Sequence, residues 1–130
     1  MDEPIAGAIA RPSERSRLGL AAFMVVAGIM HFVVPQFYER IVPPWAGSPK
    51  RVVFWSGWAE ILSGVLVGVP RSKRLGAWCS LVVLVAVYPA NVHMALEAGR
   101  PRDAYSAAAW LRLPLQLPMW RWAFRHTRPA

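Results

Sequence analysis

A single cysteine, Cys79, is all the thiol this 130-residue chain carries. An intrachain disulfide is therefore out of reach, and without a CxxC pair the chain is no self-contained thiol–disulfide oxidoreductase. Charge is scarce as well: 17% of the residues are Asp, Glu, Lys or Arg, against about 25% in an ordinary soluble domain. Acidic residues are the scarcer kind, 7 against 15 Lys and Arg. No glycine-rich fingerprint for a flavin or nicotinamide follows an apolar strand, so the chain is not expected to be a complete dehydrogenase or a self-contained enzyme. The length is that of one domain.

What is present is apolar. Hydrophobic residues make up 55% of the chain, with 7 Trp among them. A net charge of +8 would suit nucleic acid if the basic residues formed one stripe. They fall instead in short clusters between long apolar runs, the pattern of membrane-flanking charge, so nucleic acid is excluded as a partner and membrane lipid is expected. Residues 1–17, with Pro4, Pro12 and mixed charges, read as a flexible tail. The first run, 18–34, gives about 25 Å of helix, enough to span. Its apolar core exceeds a signal-peptide h-region and no small-x-small site follows, so it reads as an uncleaved helix. Further spans are read at 52–69, 75–95 and 105–124, followed by a short tail, 126–130, in which His126 is expected to be solvated. The expected fold is an all-α integral membrane four-helix bundle over residues 18–125. The last span is interrupted by Arg112, Pro114, Gln116 and Pro118, and the two prolines should kink it. A three-span alternative leaves that segment outside or on the surface.

Orientation follows from the basic residues. Nine Lys and Arg lie on the side shared by the N-terminus, the second loop and the C-terminus, and five on the other. The positive-inside rule then puts both termini in the cytoplasm of a bacterial inner (plasma) membrane. In the first external loop, Pro35 suits the first position of a helix. Phe37, Tyr38, Ile41 and Val42 would share one face of it before Pro43 and Pro44 stop it. A short interfacial helix and a loop with aromatic anchors both fit this segment. Trp45 and most of the other tryptophans sit where an aromatic belt would.

Ionisable residues inside a span cost about 2.5–3.5 kcal/mol each and normally face the bundle interior. Glu60 lies about 12 Å and Arg112 about 10 Å from the external ends of their helices. Equal depth and opposite sign predict a buried ion pair. Gly57, Glu60, Gly64 and Gly68 share a face, as small residues do where membrane helices approach closely. Tyr105, Ala108, Arg112, Gln116 and Met119 are read as the inward face of the last helix. His31 and Asn91 reach the same level, with Tyr88 a turn from Asn91 and Pro89 removing the bond to the Val85 carbonyl. The bundle is thus expected to be polar in its outer half and dry in its inner half. The bland alternative is that these groups hold helices together, at about 0.6 kcal/mol per contact. His31 and His93 lack partners at metal-ligand spacing, so no metal site is expected.

Several of these segments share one pattern. Met30-His31-Phe32-Val33-Val34-Pro35, Ile41-Val42-Pro43-Pro44-Trp45 and Ser56-Gly57-Trp58-Ala59-Glu60-Ile61-Leu62-Ser63-Gly64 come first. Val69-Pro70-Arg71-Ser72-Lys73-Arg74 and Tyr88-Pro89-Ala90-Asn91-Val92-His93-Met94-Ala95 follow in the same order. Together they resemble the DoxX and DoxX-like family of small bacterial membrane proteins, over residues 18 to 125. The resemblance implies a four-helix membrane bundle and a loose link to redox physiology, since the family's name comes from a thiosulfate:quinone oxidoreductase. It carries His31, Pro35, Pro43, Pro44, Gly57, Glu60, Gly64, Pro89 and Asn91 as motif positions. The expected function is a redox-associated accessory protein with a quinone- or small-lipid-sized pocket, partnered by a membrane or extracytoplasmic oxidoreductase. Glu60 and Arg112 would form its floor, His31 and Asn91 would bond a head group, and Tyr38 and Trp45 would cover its mouth, with Tyr88 and Gln116 nearby. The rivals are a structural or assembly protein without chemistry, and a small-molecule or proton transporter.

Overall fold

In the computed structural model of the chain, which describes residues 12–129, all regular structure is helical. Ser13 opens the first helix, α1 (Glu14–Val33), by accepting from the backbone N–H of Ser16, and Glu14 sits in the first turn, where a negative charge is favourable. Helix therefore begins inside the segment read as a tail; residues 1–11 of that reading lie outside the described residues. Pro35 starts α2 (Pro35–Ile41), and Pro44 starts a 3₁₀ turn (Pro44–Ala46). The segment that follows α1 is thus the short helix rather than an irregular loop. α3 (Pro49–Gly68) follows, with Pro49 in its first turn.

The third apolar run is two helices, not one: α4 (Lys73–Ala86) and α5 (Tyr88–Ala98), divided at Val87. Pro89 has no N–H for the ladder and disfavours helical backbone just before it. α6 (Ala104–Arg125) runs unbroken through Pro114 and Pro118. Asp103 begins it with a capping box. Its carboxylate accepts from the Ser106 N–H and hydroxyl, both at 2.8 Å, and the Ser106 oxygen accepts from the Asp103 N–H at 3.1 Å. The Ser106 backbone bond, then the hydroxyl bond, hold the Asp103 carboxyl below its usual range. A carboxyl depressed in the folded state stabilises above its unfolded pKa and loses that contribution as pH falls through the folded value. The melting-point gap between wild type and Asp103→Ala is expected to be open at pH 7 and to close on acidification below about pH 4. A gap independent of pH would dismiss the charged cap.

Glycine sets the helix spacing. α1 packs chiefly on α3, α3 on α4, and α6 on both α4 and α5, while α2 touches α1, α3 and α5. A Cβ on Gly28 would stand 2.6 Å from the Gly57 carbonyl oxygen, and one on Gly64 2.7 Å from that of Ala21. The backbones of α1 and α3 touch at both points, as small residues allow. Gly68 is looser, its nearest neighbour being the Ala21 Cβ at 3.7 Å.

Two apolar clusters fill the interior. Near the chain ends lie Leu20, Ala21, Met24, Val67, Leu84 and Ala123; at the α2 end lie Ile41, Met94, Ala95 and Ala109. The end near the termini is not dry. Arg17 is buried there and donates at 2.8 Å to the carbonyls of Val67 and Gly68, with Glu14 beside it. Ser16 accepts from the Trp122 indole at 2.9 Å and lies 3.0 Å from His126 Nε2. Burial pushes the His126 imidazole down, in keeping with a neutral ring that accepts the Ser16 hydroxyl. His126 and Thr127, whose carbonyl accepts from Arg74, are therefore bound into the fold rather than solvated.

Two stretches are long and apolar enough to cross a membrane, Glu14–Val33 and Lys73–Ala98, the latter being α4 and α5 taken together. α3 carries Lys50, Arg51 and Glu60, and α6 carries Arg112, Gln116, Arg121 and Arg125, which lower the apolar character of both.

Candidate functional site

Between the two apolar clusters lies a cavity of about 220 Å³, with Leu84 of one cluster and Ile41 of the other in its wall. α1 contributes Phe23, Ala27 and His31; α3 contributes Val53, Ser56 and Glu60; α6 contributes Arg112, Gln116 and Met119. Asn91 enters from the first turn of α5. Tyr38, Ile41 and the Val42–Pro43 segment form the α2 side, and Trp45, 75% exposed, stands at the rim.

The α1–α3 contact builds the acidic end. Gly28 and Gly57 meet one turn before His31 and Glu60, and a Cβ on Gly57 would lie 2.9 Å from the His31 Cβ. Close approach there brings His31 Nδ1 to 3.1 Å from Glu60 Oε2. The same nitrogen is 2.8 Å from the Ala27 carbonyl. A carbonyl oxygen only accepts, so Nδ1 carries the proton and, in the neutral ring, Nε2 is an acceptor. One N–H serves the nearer oxygen, and Glu60 Oε2 is left buried without a hydrogen-bond donor. The Tyr38 ring stacks on His31, centroids 3.9 Å apart and planes 17° from parallel, which fixes the imidazole. Burial first, and then the nearby Glu60, push the Tyr38 phenol up.

The expected Glu60–Arg112 ion pair is not formed. Among the described residues Glu60 meets His31, and Arg112 donates to the Met94 sulfur at 3.6 Å, a weak acceptor, with no carboxylate in ion-pair range. Both residues line the cavity from different elements, so the space lies where the bond was expected. Gln116, one turn beyond Arg112, is 5% exposed, and its Oε1 is buried without a partner.

Of the residues picked out from sequence, His31, Tyr38, Trp45, Glu60, Asn91, Arg112 and Gln116 come together at this cavity. Tyr88 does not: it packs edge-on against Trp120, centroids 5.0 Å apart, away from Asn91's cavity. The inward face of α6 is the expected one at Arg112, Gln116 and Met119, which line the cavity, but not at its start. Ser106, Ala109, Gln116 and Ala123 are buried, while Tyr105 and Ala108 are exposed. Small residues decide which side of a helix can approach a neighbour, and Ala109 and Ala123 mark that side better than Tyr105 does. Sequence reasoning missed Ser56, one turn before Glu60 on the same face, whose spacing of four was the available signal.

The arrangement can hold a ring-sized molecule. An apolar cavity of about 150 Å³ binds benzene, so this volume admits a substituted six-membered ring, with any long tail leaving through the opening. Comparison with known proteins gives one finding: a family model described as a domain of unknown function (DUF8561) matches residues 20–127. No curated protein and no solved structure matches the chain. The matched segment runs from α1 to the end of α6 and includes every residue of the cavity, so the chain belongs to the DUF8561 family.

Proposed function

We propose that this chain is a DoxX-like integral membrane protein that holds a quinone or small-lipid head group in the cavity beside Glu60 and Arg112. It crosses a bacterial plasma membrane four times with both termini in the cytoplasm, and serves a membrane or extracytoplasmic oxidoreductase as an accessory subunit. The membrane reading is supported by an inside-out pattern. Large apolar side chains face outward on every long helix: Val26 58%, Leu62 57%, Val82 63% and Leu117 60% exposed. Glu60, Asn91 and Gln116 are each 5% exposed. A soluble monomer rarely shows so continuous an apolar exterior. The Lys and Arg clusters at the helix ends support the orientation.

The ligand reading rests on one observation above the others. Buried polar groups that only hold helices together bond each other, because an unmade buried bond costs about 1–3 kcal/mol. Here Glu60 Oε2 and Gln116 Oε1 are unpartnered, and Arg112 has no carboxylate, around one apolar-walled space. That matches the usual ligand pocket of apolar walls with a few convergent polar groups. A quinone fits the set: Arg112 and Asn91 would bind a ring oxygen, Tyr38 and His31 would orient the ring, and the apolar walls would exclude water. The bound quinone would supply two-electron chemistry that the side chains lack.

Ligand retention tests this. Wild type purified in mild detergent is expected to carry quinone or a defined lipid at near-stoichiometric level by mass spectrometry. Glu60→Gln and Arg112→Met are each expected to lose tenfold or more, as loss of a charge-assisted bond of about 1.5–3 kcal/mol implies. Equal content in three folded proteins would remove the ligand from the account.

A further inference from the structure

The polar groups of the cavity are sorted by hydrogen-bonding sense. At the α1–α3 end stand acceptors. His31 Nδ1 spends its proton on the Ala27 carbonyl, so Nε2 offers a lone pair, and Glu60 has an oxygen with no donor. On the α5–α6 side stand the cavity's strongest donor, the Arg112 guanidinium, and the amide of Asn91. Gln116 Oε1 adds another unpartnered acceptor. A ligand that completes this set brings at least one O–H or N–H to the His31–Glu60 end and an oxygen acceptor to the Arg112 end.

We propose that the site takes its ring ligand in the dihydroxy, quinol form in preference to the quinone. This rests on the reading that the cavity holds a ring ligand, and narrows it. A phenolic hydroxyl both donates and accepts. One quinol hydroxyl therefore donates its single proton to Glu60, beside His31, and the opposite one accepts from Arg112 and Asn91. A quinone carries only carbonyl acceptors. It satisfies the Arg112 end and sets an oxygen against the lone pairs of Glu60 and His31, leaving them unpaired. A site built for a hydroxyl discriminates strongly against the analogue lacking it, because its own buried polar groups go unsatisfied.

The experiment is anaerobic calorimetric titration of the full-length protein in detergent with decyl-benzoquinone and with the corresponding quinol. The quinol is expected to bind at least tenfold more tightly, which raises the potential of the bound couple by about 30 mV per tenfold. Glu60→Gln exchanges the carboxylate for a neutral amide, so its preference should collapse towards unity through weaker quinol binding. Equal affinities in wild type, or tighter quinone binding, would overturn this inference and leave the ligand reading standing. Binding of neither form would overturn both. If Glu60→Gln does not fold, the wild-type ratio alone decides.

Discussion

Gly28→Leu is expected to abolish the folded protein. A Cβ at position 28 would lie 2.6 Å from the Gly57 carbonyl oxygen and 2.8 Å from the Ile61 amide nitrogen. Both are backbone atoms, so no rotamer change relieves the contact and α1 and α3 must separate. Overpacking a tight interior costs about 1–3 kcal/mol for small increments, and a whole isobutyl group at this crossing goes beyond that. Set against a total stability of about 5–15 kcal/mol for a typical domain, Gly28→Ala should lower the melting temperature clearly and Gly28→Leu should leave no cooperative transition. The site would feel the separation directly, because His31 and Glu60 follow the Gly28–Gly57 contact by one turn. Val26→Leu, on the exposed side of α1, should shift stability by no more than about 0.5 kcal/mol. Thermal melts in detergent check all three. A Gly28→Leu protein that melts like wild type would show that the α1–α3 crossing is not where it is described.

Arg17→Ala is expected to have the next largest effect, about 3 kcal/mol. Arg17 is 6% exposed and donates at 2.8 Å to the carbonyls of Val67 and Gly68, at the end of α3. The last carbonyls of a helix have no partner within the helix and carry its negative pole. A cation placed there makes two charge-assisted bonds, each worth about 1.5–3 kcal/mol when its removal leaves a buried acceptor empty. Arg17→Lys should recover part of the loss, since an ammonium presents a point charge rather than a planar fork. Glu14→Ala should change little, because Glu14 is exposed and such pairs are screened by water. Arg15, exposed in the same turn of α1, is the control. If Arg15→Ala and Arg17→Ala are equally mild, the α3 carbonyls are satisfied without Arg17.

The helices were legible because their punctuation is chemical. Pro35 and Pro89 each fall in the first turn of a helix, and Gly57 and Gly64 mark the backbone crossing; Pro49, which opens α3 three residues before the apolar run, was not read. Pro89 also signalled the division at Val87. Apolar length alone read 75–95 as one helix, because hydropathy does not register a missing N–H. The site's membership was legible by another route: an ionisable or amide group in an apolar run has to face something other than lipid. What those groups bond was not legible. Depth and sign favoured Glu60 with Arg112, but pairing depends on lateral position, and the glycine crossing delivers His31 to Glu60 first. Arg17 escaped notice because it precedes the apolar run. Its burial comes from the chain turning back at the end of α3, a contact between residues 50 apart.

An experimental structure of the protein in a lipid nanodisc tests the open space between Glu60 and Arg112 most directly. It should show density for a ring-bearing molecule in the cavity, within hydrogen-bond reach of Glu60 at one end and Arg112 at the other, with His31 still stacked on Tyr38. A cavity collapsed on its own side chains, with the Arg112 guanidinium bonded to the Glu60 carboxylate, would contradict it.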